Sequence, residues 1–167
     1  MDSPSPQGIV ALAVEELLPW REALRLSGAR LIMTNGCFDL LHVGHLRYLS
    51  QARALGDALV LALNDDASVR RLKGPGRPVL PWADRAELLA GLRVVDAVLG
   101  FAEDTAVVAL RRLQPDVYVK GGDYGPANWP PEADEARALG AEVRFLGLAP
   151  GRSTSAILKQ LRDAGPG

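Results

Sequence analysis

Residues 29–45 read ARLIMTNGCFDLLHVGH, and three kinds of local sequence meet in them. ARLIMT (29–34) is a short apolar run, long enough for a buried strand and too short for a helix. Asn35 and Gly36 then permit a tight turn. LLHVGHLRYLSQARALG (40–56) continues with helical spacing and stops at Gly56. The unit is therefore strand, turn, helix. Both histidines of the chain, His42 and His45, fall at the start of that helix, three residues apart and on one face.

The same alternation repeats outward from this unit. DALVLALN (57–64), DAVLGF (96–101), DVYVKG (116–121) and AEVRFLGL (141–148) read as strands. VEELLPWREALRL (14–26), DDASVRRL (65–72), WADRAELLAGLR (82–93), DTAVVALRRLQ (104–114), EADEARALG (132–140) and STSAILKQLRDAG (153–165) read as helices. Pro19 is expected to strain the middle of the first helix. KGPGRPVLP (73–81) and GDYGPANWPP (122–131) are Gly/Pro loops that break all periodicity. Apolar strands alternating with helices predict an α/β fold: a five-stranded parallel sheet with helices on both faces. At 167 residues the expectation is a single domain over 1–167, with 1–8 a loose Ser/Pro tail.

Composition narrows the function classes. Hydrophobic residues make up 48% and charged residues 23%, with a net charge of −1. A nucleic-acid backbone or an anionic membrane would favour a basic surface, so neither is expected as the main partner. Cys37 is the one cysteine, which excludes an intrachain disulfide and fits a reducing compartment. MDSPSPQG has no basic region followed by an apolar core, and no apolar run approaches roughly 18 residues. The expected location is the cytoplasm.

In open parallel sheets, ligands bind beyond the carboxyl ends of the strands, where strand order reverses. The loops TNGCFD, NDD, VKGGDY and APGRSTS follow strands and are unusual in content. A helix beginning just after Asn35–Gly36 offers free N–H groups and a positive dipole end, which suit a phosphate. His42 and His45 can each donate to a phosphoryl oxygen, and Gly44 between them leaves the helix backbone approachable. Three other readings stay open: histidines that merely cap the helix, a metal site built from Cys37, Asp39, His42 and His45, and a nucleophilic Cys37.

The stretch TNGCFDLLHVGH resembles the signature of the cytidylyltransferase-like nucleotidyltransferases, whose core is an H-x-G-H box after the first strand. With RLKGPGRP (71–78), LQPDVYVKGGDY (113–124) and RSTSAI (152–157), the chain is similar over about residues 9–162 to the adenylyltransferase domain that makes ADP-heptose. The resemblance implies transfer of AMP from ATP to D-glycero-β-D-manno-heptose 1-phosphate, with Mg²⁺ accompanying ATP. It implies that Asn35, Gly36, Cys37 and Phe38 lie along the nucleotide phosphates through backbone groups. His42 and His45 would stabilise the α-phosphate, Lys73 would bind phosphate oxygens, and Arg85 would add a second positive charge or hold Lys73's loop. Gly121, Gly122 and Asp123 would face the nucleoside. Ser153, Thr154 and Ser155 would bind the outgoing phosphates, and Asp39 and Asn64 would face the sugar phosphate. No metal ligand is implied among the side chains. A homodimer is implied by analogy, as is a separate sugar kinase upstream, because about 30 residues precede the box.

Two alternatives accompany this reading. One is a glycerol-3-phosphate-type cytidylyltransferase using CTP; Leu148, where those enzymes usually carry arginine, argues against it. The other is a nucleotide-binding module without catalysis. The loop GPANWPP (125–131) departs from the heptose enzymes and bears on which sugar is accepted.

Overall fold

The structure is a computed structural model and describes residues 8–122, 128–147 and 154–163. Six strands, β1 (Ile9–Ala11), β2 (Leu31–Gly36), β3 (Ala58–Asn64), β4 (Ala97–Phe101), β5 (Val117–Gly121) and β6 (Glu142–Leu146), form one sheet in the order β1-β4-β3-β2-β5-β6. Every pairing is parallel. The sequence predicts five strands; the sixth is β1. Three residues are too few to show a period of two, and IVA becomes a strand only because Ile9–Ala11 lies in register with Ala97–Leu99.

The strands are buried on both faces, as a sheet covered on both sides requires. Leu31, Met33, Val60, Ala62, Leu99 and Tyr118 point into one core. Helices α1 (Leu18–Ser27), α5 (Val107–Leu113) and α6 (Pro131–Ala138) cover it. Ile32, Leu59, Leu61, Leu63, Val98 and Val119 point the other way, under α2 (Val43–Arg53) and α4 (Trp82–Ala90). Two further helices, α3 (Asp66–Lys73) and α7 (Thr154–Asp163), follow β3 and β6. Pro19 does not strain a helix middle. A 3-10 turn at Val14–Leu17 precedes α1, so Pro19 lies in the first turn, where an N–H would have no helical partner anyway.

Three aspartates set the stagger of the strands. Asp57, Asp96 and Asp116 each stand immediately before a strand. Each accepts a backbone N–H from the strand alongside: Arg30 N to Asp57, Leu59 N to Asp96 and Leu31 N to Asp116, all at 2.8 Å. Asp96 also accepts from Arg53 Nε at 3.1 Å, which ties the end of α2 to the sheet. Asp96→Ala leaves the Leu59 N–H and the Arg53 guanidinium without their acceptor. It is expected to lower unfolding free energy by about 1–3 kcal/mol, measured by urea denaturation, with an unchanged m-value.

Candidate active site

From β2 the chain steps to β3 and β4 on one side, and later to β5 and β6 on the other, so strand order reverses at β2. Beyond the carboxyl ends of the strands lies a cavity of about 530 Å³. Its walls bring together Asn35, Gly36, Cys37, Phe38, Asp39, His45, Asn64, Lys73, Gly121, Thr154 and Ser155 from the residues singled out in the sequence. His42, Arg85 and Gly122 do not line it. Asp123, Ser153, Leu148 and residues 125–127 of the GPANWPP loop lie outside the described residues.

The turn after β2 is built around a close approach. Phe38 adopts a positive φ of 43°, and its ring folds back over Gly36, where a Cβ would stand 2.8 Å from Phe38 Cε2. The same ring packs against His45, with centroids 5.1 Å apart. Phe38 is thus buried as a support for the turn and for His45.

The histidines do cap the helix, and the cap determines their chemistry. His42 Nδ1 accepts from Gly44 N at 3.1 Å, and His45 Nδ1 accepts from His42 N at 3.4 Å. The two rings stack at 3.9 Å. With each Nδ1 serving as an acceptor, a neutral ring carries its proton on Nε2 and presents an N–H donor there. Burial, and then the charge of His42, push the pKa of His45 down to about 4. The cavity-lining histidine is therefore a neutral donor near pH 7.

Two expected ligand-binding groups are occupied by the protein itself. Asp39 is buried, and its carboxylate accepts from Arg77 Nε at 2.5 Å, Val79 N at 2.8 Å and Leu80 N at 3.0 Å. Burial pushes its pKa up, but the Leu80 and Val79 N–H groups and the Arg77 guanidinium outweigh that and hold it low. Asp39 anchors the return limb of the Gly/Pro loop. Asn64 donates to Ser68 Oγ at 3.2 Å and to Glu103 O at 3.4 Å, though it still borders the cavity. Lys73 is the last residue of α3, one position before the loop, and is exposed.

Arg85 was expected to act on phosphate or hold a loop, and its geometry is that of the second role. The side chain is fully buried. It donates to Cys37 O (2.7 Å), Asn64 O (2.9 Å), Leu80 O (3.1 Å) and Asp66 Oδ1 (2.7 Å). Among the described residues, no three His, Cys, Asp or Glu side chains come together to hold a metal ion. Burial pushes the Cys37 thiol up against the pull of Lys73, Arg85, Lys120 and Arg77, so it is a poor nucleophile.

Sequence reasoning missed Lys120 and Glu132, both on the cavity wall. Asn35 Oδ1 accepts from Tyr118 Oη (2.6 Å) and Lys120 Nζ (3.2 Å), while its Nδ2 donates to Glu132 Oε1 at 3.2 Å. The available signals were a lysine at the carboxyl end of an apolar central strand and a Pro-Pro-Glu helix start.

A cytidylyltransferase-like family profile matches residues 33–157. The curated relatives named "Bifunctional protein HldE" from Ectopseudomonas mendocina (strain ymp) and Azotobacter vinelandii are 52% and 51% identical over 159 and 158 residues, 95% of this chain in both cases. The chain spans 33% of the length of each of these relatives. A solved structure titled as the lipopolysaccharide core biosynthesis protein from Thermoplasma volcanium GSS1 superposes with a TM-score of 0.60 at 27% identity. The match covers 73% of this chain and 98% of that one.

The folded His45 ring gives up its proton at a lower pH than an unfolded histidine. Between about 4 and the ordinary value of ~6.5, the unfolded chain therefore holds the extra proton. Acidification through that window costs stability. An NMR titration is expected to place His45 half-protonation near 4 in the free protein. With saturating tripolyphosphate the midpoint is expected to be higher, because a neighbouring anion favours the charged ring.

Proposed function

The chain belongs to the cytidylyltransferase-like family, and on that premise we propose that it transfers the adenylyl group of ATP to a sugar 1-phosphate, D-glycero-β-D-manno-heptose 1-phosphate, releasing pyrophosphate. The observation that carries this reading is the cavity at the strand-order reversal, which gathers His45 of the H-x-G-H box, Lys73 and the Thr154–Ser155 helix start around one space. Identity of about half the residues to the HldE proteins over 95% of the chain supports the sugar-phosphate branch.

The chemistry needs little beyond alignment and charge stabilisation. A sugar phosphate has a second pKa near 6 and is mostly a dianion at neutral pH, so its oxygen attacks the α-phosphorus without a general base. Two anions must be held in line while charge builds on the α-phosphoryl oxygens. His45 Nε2–H is a preorganised donor for those oxygens. The N-terminus of α2 adds its positive dipole end, and Lys73 adds a mobile point charge from the rim. Thr154 and Ser155 open α7, and the Thr154 hydroxyl donates to Leu40 O at 3.4 Å, so the start of α7 stands beside the β2–α2 turn. Its hydroxyls and N–H groups suit the departing pyrophosphate.

Mg²⁺ fits this site as a companion of the triphosphate. Asp39 is committed to the loop, and Glu132 accepts from Asn35 Nδ2 and Ala106 N. The triphosphate itself would then hold most of the ion, which would supply neutralisation of phosphate charge.

With ATP and CTP present together at equal concentration, and D-glycero-β-D-manno-heptose 1-phosphate and glycerol 3-phosphate as acceptors, mass spectrometry is expected to find ADP-heptose in at least about tenfold excess. A base site that pairs with one nucleobase leaves buried polar groups unpaired with the other. A dominant CDP-glycerol product would replace this reading with the cytidylyltransferase one. His45→Ala is expected to lower kcat by about 10²–10³, the usual loss for one electrostatic donor. It should destabilise the fold by no more than about 1 kcal/mol through the lost cap, so steady-state kinetics and thermal melting together separate the two roles.

A further inference from the structure

Lys120 and Glu132 are charged, border the cavity and have no part in the chemistry assigned above. Lys120 is the penultimate residue of β5, and β5 adjoins β2 where strand order reverses. Its hydrogen bonds among the described residues are two long ones to Asn35, 3.4 Å to the carbonyl oxygen and 3.2 Å to Oδ1. An ammonium has three N–H donors, so this cation is thinly solvated by the protein. Glu132 is buried at the second position of α6, and its Oε1 accepts from Asn35 Nδ2 at 3.2 Å and Ala106 N at 3.1 Å. Asn35 is thus the bridge between an ammonium and a carboxylate on one wall.

We propose that Lys120 and Glu132 form the acceptor subsite: Lys120 binds the phosphate of the incoming sugar phosphate, and Glu132 accepts hydrogen bonds from its hydroxyls. The inference rests on the adenylyltransferase reading and extends it to the second substrate. In-line displacement puts the entering and leaving groups on opposite sides of the α-phosphorus. The leaving side is assigned to the start of α7 beside Leu40, and Lys120 and Glu132 reach the same cavity from other elements, β5 and α6. The charge pattern agrees. A bare polyphosphate would be repelled by a buried carboxylate, whereas a phosphate bearing hydroxyls uses both signs of charge. Lys73 and Lys120 both border this cavity, so an anion within it meets two cations; burial lowers the Lys120 pKa. The Glu132 carboxylate opposes that shift.

The test is steady-state kinetics on the full chain with ATP and D-glycero-β-D-manno-heptose 1-phosphate. Lys120→Met is expected to raise the acceptor KM by about tenfold or more, the loss of one charge-assisted contact, and to change the ATP KM by less than about twofold. Lys120→Arg, which keeps the charge, is expected to recover at least half of that loss on a logarithmic scale. Lys120→Met combined with Glu132→Gln removes both charges and leaves no uncompensated carboxylate, so it serves if the single variant does not fold. It is expected to show the same acceptor-selective rise. A folded variant of either kind with an unchanged acceptor KM, or with the ATP KM raised equally, overturns the subsite while wild-type turnover upholds the adenylyltransferase reading. A wild type that forms no ADP-sugar overturns that reading and the subsite with it.

Discussion

One buried guanidinium holds the back of the cavity together. Arg85 reaches from α4 to the carbonyl of Cys37 in the β2–α2 turn, the carbonyl of Asn64 at the end of β3, the carbonyl of Leu80 in the Gly/Pro loop, and Asp66 at the start of α3. Four segments that carry cavity residues converge on one planar fork. Taking a charge out of water costs several kcal/mol unless its donors are satisfied, and here three carbonyls and one carboxylate accept them. A lysine could not substitute: its three donors radiate from a single atom and cannot span these acceptors. Asp39 mirrors this arrangement from the front, drawing Arg77 and two backbone N–H groups onto the same turn. Asp39 was read from sequence as facing the sugar phosphate, and Arg85 as either adding a positive charge or holding the Lys73 loop. Both spend their charge on placing loops that border the cavity.

How much of this was legible follows from which forces are local. The β2–α2 unit was readable because an apolar run, a turn pair and a helical period all sit within residues 29–56, and strand-helix alternation then implied the parallel sheet. β1 was not readable, since its three residues gain strand geometry only from β4. Arg85 was left with two roles, and Lys120 was missed, for a common reason. A cation on an amphipathic helix, or at a strand end, looks solvated until distant segments bury it. What buries Arg85 comes from positions 37, 64, 66 and 80, and no window along the chain contains all of them with α4. Glu132 was hidden in the same way: its partners Asn35 and Ala106 lie on other elements.

The paired histidines show why capping and the proposed catalytic role need not be rival explanations. A helix that begins at a ligand site has spare N–H groups that require acceptors when no ligand is present. His42 and His45 supply two of these with Nδ1. That use fixes the tautomer, and the fixed tautomer leaves Nε2–H as the donor. The structural bond thereby orients the functional one, much as an outer partner orients a metal-bound histidine. Phe38 completes the support by packing its ring on His45 from a backbone conformation that non-glycine residues seldom adopt.

The balance of charge in the cavity then bears on how a protein of net charge −1 would hold the two anionic substrates of the proposed reaction. A site lined with uncompensated cations would be costly to fold and would bind phosphates indiscriminately. Here two cations are compensated and one is placed apart: Arg85 by Asp66 and carbonyls, Arg77 by Asp39, with Lys73 out at the solvent-exposed rim, while Lys120 bonds only to Asn35 among the described residues. His45 is kept neutral by burial. On the proposed reading, the oriented N–H donors and the two lysines would act on phosphate oxygens within the cavity, where interactions between charges are stronger than in bulk water. Charge stabilisation is thus largely built in advance and becomes effective only when the anions arrive.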